Sequence, residues 1–256
     1  MARSKIAIAG ATGRVGRHVV TELEAAGYVA VPISRSVGVD VVTGAGLEGA
    51  LESVEAVVDA AGGASPDQEE ATEFFTTAAR NLHRIGSSAG VGRIVSVSIV
   101  GVHQFTAGYG VAKQRHEEEI LSGAVPSQVL RATQFHEFVP QLIAWGSDGG
   151  ITRLQRMRTQ PVAARAVAGA LVEAATVDWA AAPDPIVEVA GPREENMADL
   201  ARRFVNWTGD PLEIEEVVNE ADPDHELYES GALLPGPGAR LVGPTFAEWL
   251  DGADAE

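Results

Sequence analysis

The stretch Ile6-Ala7-Ile8-Ala9-Gly10-Ala11-Thr12-Gly13-Arg14-Val15-Gly16 decides the fold of this chain. Its first four residues are an apolar run of strand length, and the glycines that follow lead into a helical pattern of apolar residues at Val15, Val19, Val20 and Leu23. Glycine suits this geometry because the backbone must turn sharply out of a buried strand, approach an anion closely and open a helix whose free N–H groups face that anion. Strand, glycine turn and helix in that order form a dinucleotide-binding signature. It makes Gly10, Thr12, Gly13, Arg14, Val15 and Gly16 the residues expected around a pyrophosphate.

Outward from this turn, apolar β-branched runs alternate with helical stretches. Strands are expected at 6–9, 29–33, 39–42, 56–60, 94–97, 129–130 and 186–189, which predicts an α/β fold, a doubly wound parallel sheet covered by helices on both faces. Gly27 is placed to stop the first helix, and Ser65-Pro66-Asp67 to open a long one running toward Ile85, with Glu69 and Glu70 in its early turns. After Leu130 the pattern loosens. Trp145 to Gln160 mixes glycines with Arg153, Arg156 and Arg158, so a small irregular C-terminal region on the substrate side is expected. The organisation predicted is one dinucleotide-binding domain over residues 1–256, with 1–135 as its cofactor-binding core and 136–256 as substrate-side and C-terminal elements.

Composition narrows the function classes. A chain of 256 residues with 45% hydrophobic content can fill a sizeable core, and it contains no run of about 18 apolar residues that would span a membrane. Met1 to Lys5 leads into a strand without a signal-peptide layout, which predicts a cytoplasmic protein. The absence of cysteine excludes disulfides, thiolate metal sites and cysteine nucleophiles. A formal charge of −17 opposes binding to nucleic acid or an anionic membrane, so the partner expected is a small molecule, and any anionic ligand must be held by local dipoles and a few arginines. The histidines form no metal-binding spacing, and no metal is expected.

The end of the second strand reads Ser34-Arg35-Ser36, with no carboxylate to accept from an adenosine ribose. An arginine there can pair with a 2′-phosphate and two hydroxyls can donate to it, which favours NADP(H) over NAD(H). Asp59-Ala60-Ala61-Gly62 ends a later strand in small residues, where a cofactor can lie against the backbone of Ala60, Ala61 and Gly62. Tyr109 and Lys113 are four residues apart and share one face of a helix. Lysine is rare here, with Lys5 and Lys113 the only two, which points to a task for a compact ammonium rather than a planar guanidinium. A phenol with a pKa near about 10 is a poor acid or base at neutral pH, and a neighbouring ammonium favours its phenolate.

These residues together resemble the short-chain dehydrogenase/reductase superfamily, and more narrowly its extended and atypical branches, of the kind grouped with NmrA-like and epimerase-like proteins. The resemblance runs through Gly10-Ala11-Thr12-Gly13, Asp59-Ala60-Ala61-Gly62, Ser98-Ile99-Val100-Gly101, Tyr109-x-x-x-Lys113, Arg131-Ala132-Thr133-Gln134-Phe135 and Val189-Ala190-Gly191-Pro192. It implies Ser98, Tyr109 and Lys113 as catalytic residues: Ser98 steadying a substrate oxygen, Tyr109 moving a proton, and Lys113 tuning the phenol and binding the nicotinamide ribose. It also implies Asp40 beside the adenine, Thr133 and Gln134 at the cofactor, and Phe135, His103 and His136 around the substrate. Ser96 is expected to be structural and turned away from Ser98, and Glu117-Glu118-Glu119 to be a solvated helix face. One position departs from the pattern. Phe75 stands six residues before Asn81, where the resemblance puts an asparagine that supports proton relay.

Two function classes follow. One is an NADPH-dependent reductase or dehydrogenase, with epimerase chemistry using the same parts as a subordinate option. The other is an NmrA-like sensor that binds cofactor without turnover, which Phe75 favours. Either way Arg35→Ala is expected to weaken NADPH about tenfold or more, since a charge-assisted phosphate contact is worth about 1.5–3 kcal/mol, while NADH binding changes little. Arg35→Asp is expected to reverse the preference. Calorimetric titration checks both, and equal affinities for the two cofactors in the unmodified protein contradict the assignment.

Overall fold

The computed structural model describes residues 3–63, 65–177, 179 and 184–252. In chain order it begins with β1 (Lys5–Ala9), α1 (Gly16–Ala25), β2 (Val29–Ile33), α2 (Leu47–Ala50), β3 (Val54–Asp59), α3 (Gln68–Ala89), β4 (Arg93–Ile99), α4 (Gly108–Ser122) and β5 (Ser127–Ala132). It continues with α5 (Phe138–Gly146), β6 (Ser147–Asp148), β7 (Ile151–Gln155), β8 (Arg158–Thr159), α6 (Ala164–Thr176), β9 (Ile186–Ala190), β10 (Glu195–Asn196) and α7 (Met197–Thr208). β11 (Glu213–Val217), α8 (His225–Ser230), β12 (Arg240–Leu241) and α9 (Phe246–Asp251) complete it.

The expected doubly wound parallel sheet is present. It has seven strands in the order β12-β9-β5-β4-β3-β1-β2. Ile6, Ala7, Ile8 and Ala9 of β1 and Ala56, Val57 and Val58 of β3 are all buried, as strands covered on both faces must be. Register aligns Ile8 with Val58 and Val57 with Ile94. After β1 the chain runs outward to β2 and then crosses back to β3, so the order reverses between β1 and β3. The turns after these two strands therefore lie side by side, with the amide of Ala60 donating to Ala9 O at 3.0 Å. Such a switch point is where open α/β sheets take ligands.

The helix boundaries follow local chemistry. The side chain of Asp67 accepts from the amides of Glu69 and Glu70 at 2.9 and 3.0 Å and so starts α3, and Gly90 ends that helix at φ +78°. One expected strand is absent. Residues 39–42 form a turn, because Asp40 Oδ1 accepts from the amides of Val42 and Thr43 at 2.7 and 3.1 Å and Asp40 O accepts from Gly44 N. The apolar run there reflects burial of Val41 against the core rather than strand pairing.

The described chain divides into two compact units. The first comprises Met1–Ser98, Gly108–Arg131 and Val167–Val187, and its core gathers Ile33, Leu47, Leu51, Val57, Leu82 and Ile94. The second comprises Ile99–Ala107, Ala132–Ala166 and Glu188–Glu256, with its own core of Ile143, Leu154, Met197, Leu200, Phe246 and Trp249. Order in the second unit extends into the loosely patterned 145–160 stretch. β7 pairs antiparallel with β6 and parallel with β11, Gly149 and Gly150 at φ +59° and +90° turn β6 into β7, and Thr152 and Leu154 point inward while Arg153 is exposed. Among the described residues no helix is long and apolar enough to cross a membrane. Replacing Asp67 by Ala removes the α3 cap and is expected to lower stability by about 1 kcal/mol in urea denaturation. An unchanged midpoint contradicts this account of how α3 starts.

Candidate functional site

All of the glycines in the opening turn, together with Tyr109, Lys113 and Ser98, belong to the first unit. Packing demands two of the glycines. Gly10 has φ +74°, and a Cβ on it would lie 2.5 Å from Ala60 O; a Cβ on Gly16 would lie 2.1 Å from Gly10 O. Gly13 and Gly62 are different. A Cβ on Gly13 meets only Gly10 O at 3.1 Å, and one on Gly62 meets nothing within 4 Å. Both are exposed, as is Thr12. The Gly10 carbonyl accounts for part of the requirement at Gly13, and the room left at both positions suits close backbone approach by a ligand. Helix α1 starts behind Val15 with no side-chain cap, but Arg17 N and His18 N already donate to Gly13 O and Val15 O, so an anion would meet the glycine turn ahead of them rather than a full set of free helix amides. On these observations the turn fits a dinucleotide pyrophosphate.

At the end of β2, Ser34 precedes a short 3-10 turn over Arg35–Val37, and the hydroxyls of Ser34 and Ser36 lie 2.7 Å apart. Arg35 and Ser36 are exposed. Asp40 uses Oδ1 to hold its own turn, and Asn81 Nδ2 donates to Val41 O and Val42 O at 2.9 and 2.8 Å, tying that turn to α3. Ala60 and Ala61 are half-buried beside the glycine turn.

On α4, Tyr109 keeps 36% of its surface exposed while Lys113 keeps 4%. The Lys113 Nζ donates to Val97 O at 3.0 Å and to His116 Nδ1 at 2.8 Å, and it lies 4.4 Å from the centre of the Phe75 ring. His116 Nε2 donates to Asp59 Oδ2 at 2.8 Å. Asp59 also accepts from Ser96 Oγ at 3.2 Å and from Ala61 N at 3.1 Å. Phe75 meets both rings of this group as well as its ammonium, stacking on His116 at 4.8 Å and meeting Tyr109 edge-on at 5.6 Å. Burial, countered in part by Asp59 and Glu117, pushes Lys113 down to about 8. Burial and the Lys113 charge push His116 down, which keeps it neutral. Burial opposes the charge of Asp59, but His116, Lys113 and the Ala61 amide outweigh it and hold the carboxyl below its usual range.

Three expectations change here. Lys113 does not lower the phenol: burial pushes Tyr109 up, because the ammonium is turned to His116 and Val97. Ser96 is structural, as expected, yet it shares a strand face with Ser98, since residues two apart point the same way. Glu117 is not solvated. It is buried and receives both Nε and an Nη of Arg131, at 2.9 and 2.6 Å, while Glu118 and Glu119 pair with arginines at the surface. Ser98 is buried, and its Oγ finds no partner among the described residues.

The remaining candidates lie in the second unit. Thr133 Oγ1 donates to Gln160 O and Gln134 Oε1 accepts from Thr159 Oγ1, each at 2.6 Å. Phe135 bridges to Val162, and His103 is exposed on the 3-10 turn Val102–Gln104. His136 is fully buried between Phe246 and Trp249, with Nε2 donating to Pro244 O at 3.1 Å. Sequence reading gives no role to His116 or to the side chain of Asp59, although the Lys113-x-x-His116 spacing on one helix face is a visible signal. It also passed over Asp224, whose buried carboxylate accepts from Thr106 N, Thr106 Oγ1 and Ala107 N and fastens the loop that precedes α4. Nothing in the sequence around Asp224 announces that partner.

No sequence family and no curated protein matches the chain. Solved structures do match its fold. WbmG from Bordetella bronchiseptica, in complex with NAD and UDP, is 17% identical with a TM-score of 0.70, covering 99% of this chain and 97% of its own. UDP-N-acetylglucosamine 4-epimerase from Bacillus cereus is 18% identical with a TM-score of 0.67, covering 97% and 94%. A short-chain dehydrogenase/reductase superfamily protein from Agrobacterium tumefaciens with bound NAD is 20% identical with a TM-score of 0.63, covering 83% and 85%. The chain therefore has the fold of NAD-binding enzymes of this type.

The two kinds of glycine can be told apart by mutation. Gly13→Val is expected to leave the melting temperature within a few degrees and abolish NADPH binding, whereas Gly16→Val forces Cβ into the carbonyl of Gly10 and is expected to unfold the chain. Normal NADPH binding by a well-folded Gly13→Val, followed by fluorescence titration, puts the phosphates elsewhere.

Proposed function

We propose that this protein is an NADPH-dependent oxidoreductase of the short-chain dehydrogenase/reductase type that reduces a small carbonyl substrate. The observation that carries the reading is the buried ammonium of Lys113, on the same helix face as Tyr109. Burying an ammonium costs several kcal/mol, and apolar residues of similar volume would fill the space without that cost. A charge kept there at such expense, beside a glycine turn open to a ligand, is best explained by use.

In this reading the backbone of the 10–16 turn holds the pyrophosphate, while Ser34, Arg35 and Ser36 hold the 2′-phosphate. The cofactor, when bound, supplies the hydride. Ser98 Oγ, without a partner among the described residues, donates a hydrogen bond to the substrate oxygen. Tyr109 gives that oxygen its proton, and the raised phenol pKa keeps the group in the protonated form that a donor needs. The Lys113 ammonium, turned to His116 and Val97, offers its remaining N–H to the nicotinamide ribose rather than to the phenol. Asp40, Ala60, Ala61 and Gly62 complete the cofactor contacts that the first unit offers, and Thr133, Gln134, His103 and Phe135 are the candidate contacts of the second unit. His136 contributes through packing.

A second reading is supported by solved structures that share the fold, among them WbmG with NAD and UDP and UDP-N-acetylglucosamine 4-epimerase. It is epimerase-like chemistry on a nucleotide sugar, with Tyr109 and Lys113 in the same places.

Tyr109→Phe is expected to keep NADPH affinity within a few-fold and to cut turnover by about 10² to 10⁴, the usual loss on removing a general acid. Lys113→Ala is expected to damage both, and Lys113→Arg not to restore them, because a planar fork does not replace a point charge. The measurements are steady-state rates on a substrate found by screening ketones, aldehydes, quinones, imines and nucleotide sugars, with cofactor titrations on the same preparations. Undiminished turnover in Tyr109→Phe removes the mechanism. Tight NADPH binding with no turnover across the panel assigns the protein to the sensor class instead.

A further inference from the structure

Phe75 occupies the place where the resemblance puts a relay asparagine, and its ring offers Lys113 no hydrogen-bond acceptor. The first unit supplies that acceptor from two other elements. Asp59 ends β3, and its carboxylate oxygens only accept: Oδ2 takes His116 Nε2–H and Ser96 Oγ–H, and Oδ1 takes Ala61 N–H. The Nε2 proton is thereby fixed, so Nδ1 of the neutral imidazole is an acceptor, and an ammonium that can only donate lies 2.8 Å from it. The Phe75 ring lies over the imidazole at 4.8 Å and 29°, which holds the plane in which Nδ1 points.

We propose that Asp59 and His116 are positioning residues for Lys113: Asp59 sets the His116 tautomer, and His116 Nδ1, with Val97 O, pins the ammonium so that its third N–H is left for a ligand. The importance of that position for function rests on the oxidoreductase reading. The arrangement itself does not.

The same geometry makes the site sensitive to acid. Asp59 faces His116 from β3, Lys113 and Glu117 from α4, and Arg131 of β5 acts through its pair with Glu117, while α3 presents the uncharged ring of Phe75. Protonation of His116 would remove the acceptor and set two cations 2.8 Å apart. Because the folded protein holds His116 below the ordinary imidazole range, Lys113 stays pinned at neutral pH and is released only on acidification below that range.

The first test uses the protein without cofactor. Imidazole ¹⁵N spectra are expected to show His116 as the Nε2–H tautomer, with an Nδ1 resonance that moves in Lys113→Met. The Nδ1–H tautomer, or a His116 that titrates like a solvent-exposed histidine, overturns the proposal whether or not the protein is an enzyme. The second test is NADPH affinity against pH. The unmodified protein is expected to lose affinity on acidification. His116→Leu is expected to bind about tenfold more weakly or worse, and His116→Asn, whose amide oxygen lies close to the place of Nδ1, to recover most of that loss without the acid limb. Affinity in a folded His116→Leu equal to that of the unmodified protein overturns the positioning role. If the tautomer is as expected and the unmodified protein binds no NADPH, the oxidoreductase reading fails while the positioning of Lys113 stands.

Discussion

A positive charge taken out of water must be answered, and the answer to Lys113 organises the first unit. An isolated buried ammonium is penalised by several kcal/mol and responds by shedding its proton. The chain instead surrounds this one with a carbonyl from β4, an imidazole from α4, an aromatic face from α3 and, beyond the imidazole, a carboxylate from β3. Each of these groups constrains the next. Asp59 requires the amide of Ala61 and the hydroxyl of Ser96, and His116 requires a flat surface, which Phe75 provides. The residue that looks least suited to a polar site is the one that seals it.

The glycine turn is the second fixed point, and it separates folding from binding within three glycines. Gly10 and Gly16 are required by the backbone they touch, so they would be glycine in any protein with this turn. Gly13 is held less tightly, by one carbonyl at 3.1 Å, and leaves room for close approach from outside. With a net charge of −17, the surface as a whole opposes a dinucleotide phosphate, so binding of such a ligand depends on local groups.

At 17–20% identity, the solved structures share the architecture while leaving the chemistry open. This division is physical. The sheet needs only apolar runs of the right length and order, which many sequences satisfy, whereas a reaction depends on a few polar groups held to a fraction of an ångström. Asp59, His116 and Phe75 therefore carry more information about this protein than the strands that hold them.

The sequence by itself determined the sheet and the turn that opens it. Six of the seven strand expectations, the stop at Gly27 and the Asp67 start of α3 were legible because apolar runs, glycines and caps act within a few residues of themselves. The seventh failed at Asp40, where a side chain bonded its own backbone and closed a turn, a competition that a hydropathy pattern does not record. Tyr109 and Lys113 could be seen as a pair because helix geometry places i and i+4 together. Only the tertiary structure decided what Lys113 does with its protons, that Glu117 is buried with Arg131, and that Asp224 fastens the loop before α4. Asp59 is 57 residues from His116 and Asp224 118 residues from Thr106, so no local pattern links them. Burial alone turns such distant polar groups into partners, because away from water each must find another or leave its hydrogen bond unmade.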